Sequence, residues 1–399
     1  MGKLFFYEIK KIIHRKILWI CMICGIALLV FSVGSPLIGD YIVDGERISG
    51  NYEEFQKDVA YQKKLDGRAI DESLLTEMQK AYEKVQVSDK KYSLTEEYQT
   101  YARPYSAIFN YVRQETGLSA TDVIEMNVST DILKEKRMEL REVRWEEFLL
   151  SDVEKEYWRV QEAQVEDPMV FHYTEGYSVL LSTAYTIGIL TAFMIAICMA
   201  GVFPEEHIRK TDQQILSSRY GRTKVYWAKL CAGMVVSLWL AFFFVLVTFV
   251  TAFILYGTDG FDTAFQVIYS GSSCPISVGQ AVLIIYSMVL CTGTFIGIFV
   301  MTLSENLHSS VGTLSVAIGI IVLPMMISMP DEYRLLAQLW SYLPSEIVAV
   351  WSCFSPRTVV LFGMVLQSWQ VVPVLYAGIG IMMAVITKRR FVKYQVSGR

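Results

Sequence analysis

The chain has 399 residues, 53% of them hydrophobic and only 19% charged, with a mean hydropathy of +0.35. That balance excludes the string of two or three soluble domains that its length alone suggests. The net charge of −4 hides two unlike parts: residues 39–176 hold 18 Lys+Arg against 30 Asp+Glu, and everything else holds 18 against 10.

In chain order, Leu4, Phe5, Ile9, Ile12 and Ile13 fall on one helical face and Lys10, Lys11, His14 and Arg15 largely on the other. This predicts a helix over 1–16 lying in a membrane interface. Six segments then lack Asp, Glu, Lys and Arg: 17–38, 177–203, 230–256, 278–303, 311–329 and 371–387. Roughly 20 helical residues cross a hydrocarbon core of about 30 Å, so each can span, the last by borrowing Trp369. The first exceeds the usual signal-peptide core of about 7–15 residues and reads as a span. The expected fold class is an all-α polytopic membrane protein, with six transmembrane helices and a large helical extracytoplasmic insert, 39–176, between the first and second.

Within the insert, 52–65, 71–87, 95–116, 119–126 and 131–163 are rich in helix formers, and strand-like alternation is absent. Ser93 with Glu96 and Ser119 with Asp122 fit capping boxes, in which a hydroxyl and a carboxylate satisfy free amides at a helix start. The aromatic residues Tyr98, Tyr101, Tyr105, Tyr111, Trp145 and Trp158 read as core. The insert has no cysteine, so it relies on its own packing. Cys274 and Cys353, both in loops, read as free thiols. Orientation follows from Lys and Arg in the short flanks. Sixteen lie on the side of the termini and the 204–229 loop, against Arg334 and Arg357 opposite. Both termini are therefore expected in the cytosol.

The 204–229 loop carries a marked helix. Pro204 loses no hydrogen bond at a first turn, Glu205 and Glu206 favour its positive end, Arg219 its negative end, and Gly221 supplies a stop. A helix over 204–220 is about 25 Å long. The later stretches 347–354 and 358–366 are too short to cross, and 345–366 reads as a re-entrant or interfacial helical segment. Gly293 and Gly297 form a small-xxx-small pair that permits close helix packing.

Chemistry is defined as much by what is missing. No Gly-xxxx-Gly-Lys-Ser/Thr loop occurs, so ATP dependence requires another polypeptide, and no His-Glu-xx-His zinc site is present. Glu205-Glu206-His207 superficially suits an intramembrane hydrolase but reads as a helix start. No catalytic or metal-binding residue and no nucleic-acid partner is expected. The six spans contain no ionisable group for proton or sodium coupling. Their polar groups are hydroxyls such as Thr183, Thr186, Thr292 and Thr313, most of which can bond a carbonyl one turn back.

This layout resembles the permease subunits of type-2 ATP-binding-cassette exporters: a basic interfacial helix at 3–16, one span, a large external insert and five further spans. In the cytosolic loop Phe203, Glu206, Thr211, Ile215-Leu216, Ser218, Arg222 and Lys229 look like that family's pattern, and Tyr342-Leu343-Pro344 is similar to the segment before its re-entrant helices. The insert matches no domain we can name.

The resemblance implies a homodimer or heterodimer of permeases in a bacterial plasma membrane, carrying cytosolic ATPase subunits that bind ATP and Mg. It casts the helix at 3–16 and the loop residues Glu205, Glu206, Arg209, Thr211, Arg219 and Arg222 as docking elements. It also makes Thr183, Thr186 and Thr313 candidates for the transport path, since the second and fifth spans commonly line the dimer interface. Uncharged walls then favour an amphipathic cargo: a lipid, a hydrophobic drug or a peptide. A rival class is a membrane sensor or immunity scaffold, with the insert as receptor and no transport.

Overall fold

In lipid every backbone amide must be satisfied within its own segment, and the long uncharged runs do so as helices. The computed structural model describes all residues except 1, 44–45, 86–91, 127, 209–210, 212–216, 218–220, 222–223 and 394–399. Helix α1 (Gly2–Ile13) is amphipathic as expected, burying Ile12 and exposing Phe6 and Tyr7. It gives way after two residues to α2 (Lys16–Gly34).

The insert begins with an antiparallel hairpin, β1 (Asp40–Val43) and β2 (Glu46–Gly50), and α3 (Asn51–Leu65). β3 (Arg68–Ala69) pairs with β4 (Val170–Phe171) and so closes the insert near its end. Between them lie α4 (Glu72–Tyr82), α5 (Ser106–Thr116), α6 (Ala120–Glu125), α7 (Thr130–Glu147) and α8 (Asp152–Glu162). The insert is thus mainly helical, but the expectation of no strands fails at these two short ladders. The long helix expected over 131–163 is also two. Leu149 takes φ +53, and Ser151 with Glu154 forms a capping box that starts α8 afresh. The Ser119 box forms, whereas Ser93 lies in a 3₁₀ turn and caps nothing. The segment 95–116 becomes regular α-helix only after Pro104, which cannot donate within a helix.

Tyr82 and Phe109 stack at 3.8 Å in the insert's core, among Leu74, Met78 and Val112. Beside them lie four buried charges. Arg137 pairs with Glu162, Arg141 meets Glu115 at 3.3 Å, and Arg137 stands 3.9 Å from Glu115. Glu115 is fully buried and one of its oxygens has no hydrogen bond. Burial therefore outweighs the two guanidinium groups and pushes its carboxyl up to about 7.

The chain then forms α9 (Glu175–Met199), the short α10 (Pro204–Ile208), α11 (Lys224–Tyr256), α12 (Val278–Leu307), α13 (Ser310–Met326), α14 (Arg334–Ser341) and α15 (Val350–Cys353). A hairpin, β5 (Val359–Leu361) and β6 (Met364–Leu366), precedes α16 (Ser368–Lys393). Among the described residues, five helices are long and apolar enough to cross a membrane: α2, α9, α11, α12 and α16. The sixth expected span, 311–329, forms only the shorter apolar helix α13, 17 residues or about 25 Å at 1.5 Å per residue. Pro324 stands in its last turn and Ile327 is already extended. The stretch 358–366, expected as helix, is instead the β5–β6 hairpin, whose turn residues Phe362 and Gly363 have φ +50 and +80. Two positive φ angles suit a tight turn between twisted strands.

Helix α12 packs against α9, α11 and α16. A Cβ on Gly297 would lie 2.1 Å from Ser237 Oγ, and one on Gly293 2.9 Å from Ile195, so both glycines set close helix contacts inside the chain. The insert is bolted to one end of this bundle. Glu154 accepts from the Thr358 amide and hydroxyl, both at 3.0 Å, and pairs with Arg334 at 2.5 Å. Trp158 Nε1 donates to Pro356 O at 2.7 Å, and Arg144 donates to Gly271 O at 3.2 Å. All seven cysteines are free thiols.

Two outcomes follow. Gly297→Leu overpacks the α12–α11 contact and lowers the thermal midpoint in detergent, by about 1–3 kcal/mol of stability. Gly319→Ala, with open space around it, leaves the midpoint unchanged. For Glu115 the folded state holds a proton between pH 4.5 and about 7 that the unfolded chain has released. Stability of the insert therefore falls as pH rises through that window and levels off above it. The urea midpoint for proteolysis within the insert should drop from pH 5 to pH 8 in the wild type, and the drop should shrink in Glu115→Gln.

Candidate functional site

The end of the bundle away from the insert brings α1, the end of α9, α10 and the start of α11 together around two adjacent carboxylates. Proline at its first position and two acidic residues behind it start α10, as the sequence suggests. Glu206 is held on both oxygens, by Lys11 Nζ on Oε1 at 2.6 Å and by Lys229 Nζ on Oε2 at 2.5 Å. Lys229 is 1% exposed and stands 4.9 Å over the Phe203 ring. Burial pulls the Lys11 ammonium down, but Glu206 and Glu8 more than offset it and leave it raised.

Glu205 forms the second link. Arg15, in the two-residue joint between α1 and α2, donates to Glu205 Oε2 from Nε at 2.9 Å and from Nη2 at 2.5 Å. The same guanidinium donates to Gly201 O at 2.5 Å and Cys198 O at 3.3 Å, both at the end of α9. Cys198 O is among the last carbonyls of α9, where intrahelical donors run out, and Gly201 O, just beyond it, also accepts the Glu205 amide at 3.3 Å. A Cβ on Gly201 would fall 2.9 Å from Arg15 Nη2, so a larger residue there displaces the bridge. Tyr226, on α11, ties the cluster to α16 by donating to Ala384 O at 2.8 Å.

Lys11, Arg15, Gly201, Glu205 and Glu206 line a cleft of about 1230 Å³ with Leu4, Thr211, Ser310 and Leu314. Its chemistry is ionic and mechanical. Both oxygens of Glu206 are ion-paired with ammonium groups, which leaves the hydrolytic reading no free carboxylate at that position.

The sequence-predicted docking residues divide. Glu205 and Glu206 are occupied inside the chain, and Thr211 donates its amide to Glu206 O at 3.0 Å. Arg209, Arg219 and Arg222, and most of the predicted 204–220 helix beyond Ile208, lie outside the described residues. Lys11, Arg15 and Gly201 were not read as site residues. Lys11 and Arg15 were legible as the basic face of α1, but nothing in the sequence names their partners.

The path candidates are not brought together. Thr183 donates to Val179 O at 2.6 Å, and Thr313, fully buried, donates to Ser309 O at 2.7 Å. Thr186 is exposed on α9. Ser310 lies beside Gly201, so Thr313 is near the cleft, whereas Thr186 is 15 residues back along α9, about 22 Å away.

A family model described as ABC-2 family transporter protein matches residues 16–387. The chain belongs to the ABC-2 transporter family. As a member it is a multi-pass membrane protein of the permease kind, and the family implies association with an ABC ATPase subunit. No curated protein matches it.

In this ABC-2 protein the test of the ionic clamp is a charge left behind. Glu206→Gln strands the buried Lys229 and should cost about 3–5 kcal/mol, more than the removal of both charges in Glu206→Gln with Lys229→Met. Melting of the purified protein in detergent measures the difference. Equal midpoints for the two variants would remove the stranded ammonium as the cause.

Proposed function

We propose that this ABC-2 protein is the membrane-spanning subunit of an ATP-driven exporter, moving an amphipathic or hydrophobic cargo with energy from a separate cytosolic ATPase that binds ATP and Mg. The observation that carries this reading is the clamp of Glu205 and Glu206 on Arg15, Lys11 and Lys229. It joins the loop, the interfacial helix and the start of a long apolar helix, so a push on the loop reaches all three.

In this reading the 204–220 segment meets the ATPase, and the two glutamates anchor its base. Arg209, Arg219 and Arg222 then supply the partner-facing charge, with Thr211 between. Two permeases, identical or different, associate in a bacterial plasma membrane with termini in the cytosol and residues 39–176 outside. That orientation rests on the excess of Lys and Arg in the short loops beside the termini. Thr186, exposed on α9, is the best placed of the three path candidates, because the Thr183 and Thr313 hydroxyls are spent on their own helices.

Charge reversal of Arg209, Arg219 and Arg222 together should sharply reduce co-purification of the partner ABC ATPase, with membrane insertion unchanged. Undiminished co-purification would count against the docking assignment. Solute movement by the reconstituted chain without any ATPase would overturn the exporter reading.

A further inference from the structure

A second cleft, of about 450 Å³, opens at the insert-side end of the bundle, between α9, the end of α13, α14 and α15. Its walls carry Tyr185, Met325, Met326, Trp340 and Trp351, with the carboxylate of Glu346 among them. The Tyr185 and Trp351 rings lie 5.2 Å apart at 47°.

Its polar groups divide into those already engaged and those that are not. Asp331 pairs with Arg357 at 2.7 Å, and Arg357 also donates to Phe148 O at 3.3 Å and covers the Phe148 ring at 4.8 Å. Arg144 is tied to Gly271 O and faces the same ring at 5.8 Å. Glu346 is half-buried, and among the described residues its carboxylate has neither an ion pair nor a hydrogen bond. The buried Trp340 Nε1 has no acceptor. Burial alone raises the Glu346 carboxyl above its ordinary range, as expected when desolvation meets no compensating charge.

Aromatic faces carry negative potential, which opposes a neighbouring carboxylate and attracts a cation. The lining is charge-balanced as a whole, Arg144 and Arg357 against Asp331 and Glu346, but neither guanidinium offsets Glu346, so what Glu346 and the two rings lack is one positive charge with an apolar body attached. Met325 and Met326 can reshape around such a body, because thioether side chains are unbranched and polarizable.

We propose that this cleft binds a cationic amphipath, its positive charge between the Glu346 carboxylate and the Tyr185 and Trp351 rings and its apolar part on Met325 and Met326. The site narrows the cargo class of the exporter reading, on which its role in transport rests, but binding itself requires no ATPase.

The test uses the full chain in lipid nanodiscs and equilibrium dialysis with tetraphenylphosphonium, against tetraphenylborate of the same shape and opposite charge, subtracting empty discs. The wild type should bind the cation saturably and the anion at background. Glu346→Gln and Trp351→Ala should each weaken the cation by about tenfold. Glu332→Gln, exposed and outside the cleft, should leave it unchanged. Equal cation affinity in the wild type and Glu346→Gln, anion binding as tight as cation binding, or no saturable binding would overturn the proposal. Saturable binding lost in Glu346→Gln supports the site even if ATP-driven movement is never found, an outcome that would strike the exporter reading alone.

Discussion

One carboxylate between two ammonium groups organises the end of the molecule away from the insert. Lys11 sits on the amphipathic α1, Lys229 on the long apolar α11, and Glu206 on the segment linking α9 to the rest of the loop. Each ammonium is costly in an apolar setting unless it is paired, so the pairing fixes where α1 lies against the bundle. Arg15 repeats the device one turn later, and its two carbonyl acceptors close the end of α9 at the same time. The amphipathic helix is therefore a bonded part of the bundle and not only a membrane-surface anchor.

The other end is held by a different kind of joint. Glu154 accepts from its own helix start at Ser151, from the Thr358 backbone and from Arg334. With no exposure and a full set of donors, it is held well below the usual carboxylate range although burial opposes this. Helix capping and domain docking are thereby combined in one side chain, and the insert cannot swing away without uncapping α8. Glu115, the other fully buried carboxylate of the insert, has looser partners and goes the opposite way. Deeper burial and looser partners together set Glu115 apart from Glu154.

The sequence made the apolar helices legible because charge-free runs of this length have few alternatives in lipid. It made the amphipathic face of α1 legible from spacing alone. The β5–β6 hairpin was not, because Val359, Val360, Leu361, Met364, Val365 and Leu366 show no alternation, and only Gly363 marks the turn. The break between α7 and α8 did have a signal, Ser151-x-x-Glu154, masked by the strong helix formers on either side. At the site, Glu205 and Glu206 were recognised as a helix start, which they are. That they also face Arg15 and Lys11 depends on contacts across 190 and 195 residues of chain, which no local pattern encodes.

Helix α9 is what the two ends share. It runs 25 residues, about 37 Å, passing the insert-side cleft at Tyr185 before it reaches the Arg15 bridge beyond Met199. It is also the most buried of the apolar helices. A Cβ on Gly188 would lie 2.7 Å from Val348, two residues from Glu346, so α9 touches the wall of the insert-side cleft without slack. Packed interiors respond to displacement by shifting whole elements, because small gaps lose contact energy quickly. A movement imposed on Glu205 and Glu206 therefore loads α9 along its length and reaches α15, the short helix packed against it.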